Sequence, residues 1–293
     1  MEWDAPAIIL DVRPYGEGDA VATVMTEAHG VHRGLARGGA SRGKAGTWQP
    51  GNMVQIQWTA RLSDQLGSYT GELIHAGAAH AMQEALPLAM LTAICAVADG
   101  ALPEREPLPR VFQGLLHLIP RLPLGPPTLT DVIQWEITVL SDLGYGLDLS
   151  ACAVTGQTDH LAYVSPKTGR AVTEAGAGVW AARLLPLPAF LTTHATAPNA
   201  TAPNATAPNA TAPNATAPNA TAPKATAPKA TAPNATANEA AWRDGLRLTG
   251  HFLTRDAFGH QHRPLPQARR MLYDRVAVMA ATTQKDAQPD NAG

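Results

Sequence analysis

Val54-Gln55-Ile56-Gln57-Trp58-Thr59-Ala60-Arg61 alternates apolar and polar side chains without a break, the period-two pattern of a strand with one buried and one wet face. Val54, Ile56, Trp58 and Ala60 form the buried face, while Gln55, Gln57, Thr59 and Arg61 put amides and a cation on the wet one. Upstream lie three more short β-branched or apolar runs, residues 7–13, 20–26 and Gly30–Ala36, separated by the turn-rich Pro14-Tyr15-Gly16-Glu17-Gly18-Asp19 and Glu27-Ala28-His29-Gly30. Downstream, a turn at 64–67 leads to a fifth run at 68–74. Five short antiparallel strands suit a small closed barrel of OB type over residues 1–78, because closure removes exposed edges.

The same strand ends a segment, residues 28–63, that carries Arg33, Arg37, Arg42, Lys44 and Arg61 and no Asp or Glu. Its middle, Arg37-Gly38-Gly39-Ala40-Ser41-Arg42-Gly43-Lys44-Ala45-Gly46, predicts a mobile, glycine-rich basic loop that offers cations and backbone to a polyanion. OB barrels stack bases on aromatics while cations follow the phosphates. Trp58 falls on the apolar side of its strand, Tyr69 is undecided, and Trp48, inside the loop, is the best stacking candidate. A solvated surface loop is the plain alternative.

Composition offers no global support for a polyanion partner. The chain has 293 residues, 45% of them apolar, and a net charge of -2, so a bound polyanion must be held by a segregated patch. Cys95 and Cys152 are the two cysteines, which is no disulfide framework. Cys95 sits in an apolar run and reads as a buried small hydrophobe. The start lacks the pattern of a signal peptide and no apolar run reaches the roughly 20 residues that span a bilayer, so a cytoplasmic, membrane-free protein is expected. No P-loop, nucleophile elbow or His-Glu-x-x-His helix appears, and no enzymatic activity is expected.

Beyond residue 80 the texture becomes helical. Apolar residues recur at helical spacing over 81–98, 110–119 and 130–142, with Thr130 the expected N-cap of the third segment. A last piece starts at an N-cap, Asn238, and ends in a helix over 267–280. Residues 79–194 and 238–281 are expected to form one all-α domain, with 282–293 a frayed tail. Between them, 195–237 repeat Ala-Thr-Ala-Pro-Asn, with Lys224 and Lys229 in two Asn positions. A proline every fifth residue and nothing to bury predict an extended disordered linker.

Leu143-Gly144-Tyr145-Gly146, followed by Cys152, by Leu161-Ala162-Tyr163-Val164-Ser165-Pro166-Lys167-Thr168-Gly169-Arg170 and by Pro264-Leu265-Pro266-Gln267-Ala268-Arg269, resembles the DNA repair RecO family in order and spacing. The resemblance implies a zinc-finger-like insertion at 151–172. Zinc needs four N or S ligands, whereas here Thr155 stands at the expected second cysteine, no second pair follows, and only His160 could join Cys152. The finger is therefore read as degenerate, without metal or other cofactor. The resemblance further implies a recombination mediator that binds and anneals single-stranded DNA, associates with RecR, and helps RecA replace SSB, whose acidic C-terminal tail it recognises. Arg33, Arg37, Arg42, Lys44, Trp48 and Arg61 are the DNA-contact candidates; Arg247, Arg269 and Arg270 are candidates for a partner contact. A protein adaptor that never touches nucleic acid, and an RNA-binding OB protein, remain the alternatives.

Overall fold

The computed structural model describes residues 1–62, 65–192 and 238–286; the repeat array, from 195 to 237, and the last seven positions of the expected tail lie outside the described residues. The chain is α+β. Strands β1 (Glu2–Tyr15), β2 (Asp19–Thr26), β3 (Gly30–Ala36), β4 (Met53–Thr59) and β5 (Ser68–His75) hydrogen-bond in the closed order β1-β2-β3-β5-β4. Only β3 and β5 pair in parallel, through Leu35↔Ser68 and Ala36↔Tyr69, and that short contact closes the ring.

Alternation along the strands divides their side chains between two cores. Ala7, Ile9, Val24, Val54, Ile56 and Trp58 fill the barrel interior. Ile8, Leu10, Met25, Val31 and Met53 face outward and join the core of the helical region. The barrel is therefore fused to the helices by shared apolar packing.

Helix α1 (Gly77–Ala81) and α2 (Ala85–Ala101) replace the single helix expected from residue 81. Pro87 explains the break, because its ring would clash with the carbonyl of residue 83 in a continuous helix, while the first turn of a new one tolerates it. α2 is apolar around most of its circumference, as an interior helix must be; it packs against β1 and the last helix. Next come α3 (Pro109–Leu118) and α4 (Thr128–Asp142). Thr130 is not the cap of α4 but lies within its first turn, where its hydroxyl accepts a 3.0 Å bond from Trp242 Nε1.

A three-stranded sheet, in order β7-β6-β8, follows from β6 (Leu161–Val164), β7 (Ala171–Thr173) and β8 (Leu185–Pro186), with the short helices α5 (Glu174–Ala177) and α6 (Ala189–Thr192). Helix α7 (Glu239–Phe252) starts as expected, with the Asn238 side chain accepting from Ala241 N at 2.9 Å. α8 (Gln267–Asp286) runs on through the first five positions of the expected tail. Both helices pack back, α8 on α2 and α7 on α4. No helix among the described residues is long and apolar enough to cross a membrane.

Candidate nucleic-acid interface

The basic loop between β3 and β4 is not loose chain. Gly38 N donates to Asp19 Oδ1 at 2.6 Å, Ala40 N to Gly18 O at 3.0 Å, and Trp48 N to Lys44 O at 3.2 Å. Gly38 has φ 69°, a left-handed turn that glycine adopts without steric cost. Buried Asn52 clamps the far end: its Nδ2 donates to Gly46 O (2.9 Å) and Thr47 O (3.0 Å), and its Oδ1 accepts from Ala78 N (3.1 Å). One amide thus joins the loop to α1. These hydrogen bonds restrain a loop that composition shows only as glycine-rich, since composition reveals glycines and not their bonding partners.

The predicted cations separate in space. Arg37 and Lys44 stand together at one end of a groove of about 440 Å³, with Lys44 Nζ donating to Arg37 O at 3.2 Å. Arg42 and Arg61 are exposed and form no ion pair among the described residues. Arg33 is elsewhere: it pairs with Glu104 and lies 3.9 Å from Asp99, so it ties β3 to the loop after α2. Trp48 is 5% exposed and stacks on Tyr69, centroids 6.2 Å apart at 19°. Its indole lines the groove as wall and core, which corrects its reading as a free stacking platform: the turns fold it back onto the barrel.

Carboxylates missing from the segment in sequence reach it from neighbouring strands. Gln55 Nε2 donates to Asp4 and Gln57 Nε2 to Glu2, both on β1, and Asp4 and Glu72 line the groove. The groove is thus basic at the Arg37 and Lys44 end and mixed along the strands.

On the other side of Tyr69 lies an aromatic cluster that the linear sequence does not announce. Trp3 stacks on His29 (4.2 Å, 20°) and Trp58 (5.7 Å, 21°). Trp3 and Trp58 meet because they are register partners on β1 and β4, and register is invisible until strands pair. His32 Nδ1 lies 2.9 Å from Tyr69 Oη. Burial, reinforced by the nearby Arg105 cation, lowers the His32 pKa to about 4, so this imidazole is neutral at pH 7.

In the helical region, Arg247 and Arg270 border a cavity of about 580 Å³ between α7 and α8, lined also by Leu246, Leu265 and Met271. Arg269 is not a surface cation. It is 1% exposed, pairs through Nε with Glu136, and donates from Nη2 to Glu136 Oε2 (2.9 Å), Leu246 O (2.8 Å) and Thr249 Oγ1 (3.1 Å). It pins α8 to α4 and α7, so a direct partner contact through it is replaced by a structural one.

Cys152 Sγ accepts from Thr173 N (3.2 Å) and Thr155 N (3.4 Å). Burial pushes the thiol up, but the bonds from Thr155 and Thr173 outweigh it and the pKa falls to about 6. The side chain of His160 is 90% exposed. Among the described residues no three His, Cys, Asp or Glu side chains gather as metal ligands, and the finger-like description gives way to a small sheet packed around Cys152, Val172 and Ala177.

Comparison with known proteins places these features in a family. Residues 1–76 match the family described as recombination protein O, N terminal, and residues 82–211 match recombination protein O, C terminal. The DNA repair protein RecO of Granulibacter bethesdensis is 49% identical over 288 residues, covering 98% of this chain and 100% of the relative. That of Gluconacetobacter diazotrophicus is 46% identical over 284 residues, 95% of this chain and 96% of the relative. That of Rhodospirillum rubrum is 37% identical over 286 residues, with 96% and 98% covered. On these matches the chain belongs to the RecO family of DNA repair proteins.

Proposed function

We propose that the protein binds and anneals single-stranded DNA and, with RecR, assists loading of RecA onto SSB-coated strands, acting in the cytoplasm without enzymatic chemistry. The observation that carries the reading is the groove headed by Arg37 and Lys44 on a barrel whose β1-β2-β3-β5-β4 order we read as an OB type. Annealing needs a surface that lowers repulsion between two phosphate backbones without gripping bases so firmly that they cannot pair. Two adjacent cations, Arg37 and Lys44, in a groove lined also by Gln55 and Gln57 meet that need, and Arg42 and Arg61 are exposed elsewhere on the same region. Arg33, engaged by Glu104, is left out of the phosphate path.

Phosphate contact makes affinity fall with salt, with a log–log slope near -0.7 per contact for single strands. The variant Arg37→Ala with Arg42→Ala is expected to flatten that slope by about 1.4. Unchanged affinity and slope would remove these residues from the interface. Running DNA and RNA oligonucleotides side by side tests the RNA-binding alternative, which predicts the tighter complex with RNA.

Recognition of the SSB tail finds its support in the cavity between α7 and α8. Its rim of Arg247 and Arg270 suits the acidic C-terminal tail of SSB. Arg270→Ala should weaken binding of a labelled tail peptide about 10–150-fold, as expected for loss of a charge-assisted contact of about 1.5–3 kcal/mol, and leave DNA binding unchanged.

A further inference from the structure

On the far side of Tyr69 from the basic groove is a second recess, of about 510 Å³, lined by Glu2, Trp3, His29, His32, Trp58 and Arg105 among others. Three rings lie nearly parallel within it: His29 on Trp3 at 20°, and Trp3 on Trp58 at 21°. Such a stack is extended by another flat ring at ordinary van der Waals spacing. His29 and Trp3 are only partly buried, whereas Trp58 beneath them is buried, so the open end of the stack faces the recess.

A cation is held beside these rings at a cost in backbone strain. Arg105 has φ 62°, a left-handed conformation that costs a non-glycine residue about 1–2 kcal/mol. Its N–H donates to Val31 O at 2.8 Å, and Glu104 bridges to Val31. The clamp is tight enough that a Cβ on Gly30 would come within 2.1 Å of Glu106 O. Whereas Glu104 pairs with Arg33, Arg105 has no ion-pair partner among the described residues. Glu2, the acid of the recess, already accepts from Gln57 Nε2.

We propose that this recess docks one nucleotide of a single strand, with the base stacked on the outer face of the His29 ring and its phosphate on Arg105. The assignment rests on the single-strand reading of the groove and extends it to a second recess lined by different residues. Tyr69 separates the two, its ring 6.4 Å from Trp3 and 6.2 Å from Trp48. A protein side chain such as Phe would need an apolar slot and no cation; a flat polar-edged ring tied to an anion matches both halves of the recess.

The full-length protein is titrated with an oligothymidylate and with an abasic strand of equal phosphate count. His29→Ala is expected to weaken oligothymidylate binding about 5–20-fold, the lower part of the range for losing one stacked base, and to leave abasic binding within about twofold. Arg105→Ala should weaken both. Wild-type protein that binds the two strands alike, or a His29→Ala effect equal on both, overturns the recess while leaving the groove standing. Failure of the wild type to bind either strand overturns both readings. Should His29→Ala fold poorly, irradiating wild-type complexes of a 5-iodouracil strand decides: adducts on Trp3 or His29 support the site, and adducts confined to Trp48 or Tyr69 remove it.

Discussion

The barrel and the helical region each carry arginines that look alike in sequence and end in opposite environments. Arg37, at the start of the hydrogen-bonded loop after β3, and Arg42, within it, are exposed, while Arg269, from a helix just as polar in sequence, is sealed against Glu136 and Thr249. Burial and pairing, and not the number of nearby cations, decide whether an arginine holds the fold together or is free to meet a ligand. A buried guanidinium whose donors are taken is a structural part; an exposed one keeps its hydration and its availability.

The largest effect should come from breaking the buried member of this contrast. Arg269→Ala leaves the Glu136 carboxylate buried without its partner and is expected to destabilise by about 3–5 kcal/mol in urea unfolding. Replacing both partners together, Arg269→Met with Glu136→Leu, should recover most of that loss, because no unpaired charge remains. A single-variant loss below about 1 kcal/mol would mean that water reaches the pair and the contrast is false.

The seam between the two regions comes next. Gly30 has φ +60° and its absent Cβ would stand 2.1 Å from a backbone carbonyl oxygen, so Gly30→Ala is expected to cost about 2–3 kcal/mol. Thermal unfolding would show this as one cooperative transition at lower temperature if barrel and helices share a core, and as loss of the barrel alone if they do not.

His32 should confer acid sensitivity on the barrel. Its pKa is about 4 in the fold against 6.5 for the ordinary imidazole, so the unfolded chain binds the proton more readily. The associated stability is fully present above pH 6.5 and is lost as pH falls toward 4. A loss of about 2.5 kcal/mol over that window is expected, reduced in His32→Gln. Equal acid sensitivity in the two proteins would mean that other groups govern it.

The smallest effect belongs to Arg33. Its pairing with Glu104 is solvent-exposed, and Arg33→Ala should change stability by about 1 kcal/mol or less and leave the salt slope for oligonucleotides as it was. A slope as flat as that of the Arg37→Ala and Arg42→Ala variant would return Arg33 to the DNA path.

Much of the fold could be read from the chain. Period-two alternation located β4, apolar character around most of α2 marked it as interior, and Asn238 announced α7 because capping is a contact between residues three apart. Thr130 resembles a cap equally well but lies inside α4, since Pro127 and Thr128 offered an earlier start. The site was legible as a list of cations and not as an arrangement. Trp48 was placed in a loop correctly, but its burial depended on turns whose hydrogen bonds run to Gly18 and Asp19.

By itself the sequence determined the strand and helix periodicities, the basic loop between β3 and β4, and the family to which the order of motifs points. Those are properties of residues close together along the chain. Tertiary structure alone decided which charges meet: Gln55 reaches Asp4 across 51 residues, and Arg269 reaches Glu136 across 133. A stretch free of acids in one dimension acquires Glu2, Asp4 and Glu72 in three, because electrostatic interaction acts over about 10 Å of space and takes no account of separation along the backbone.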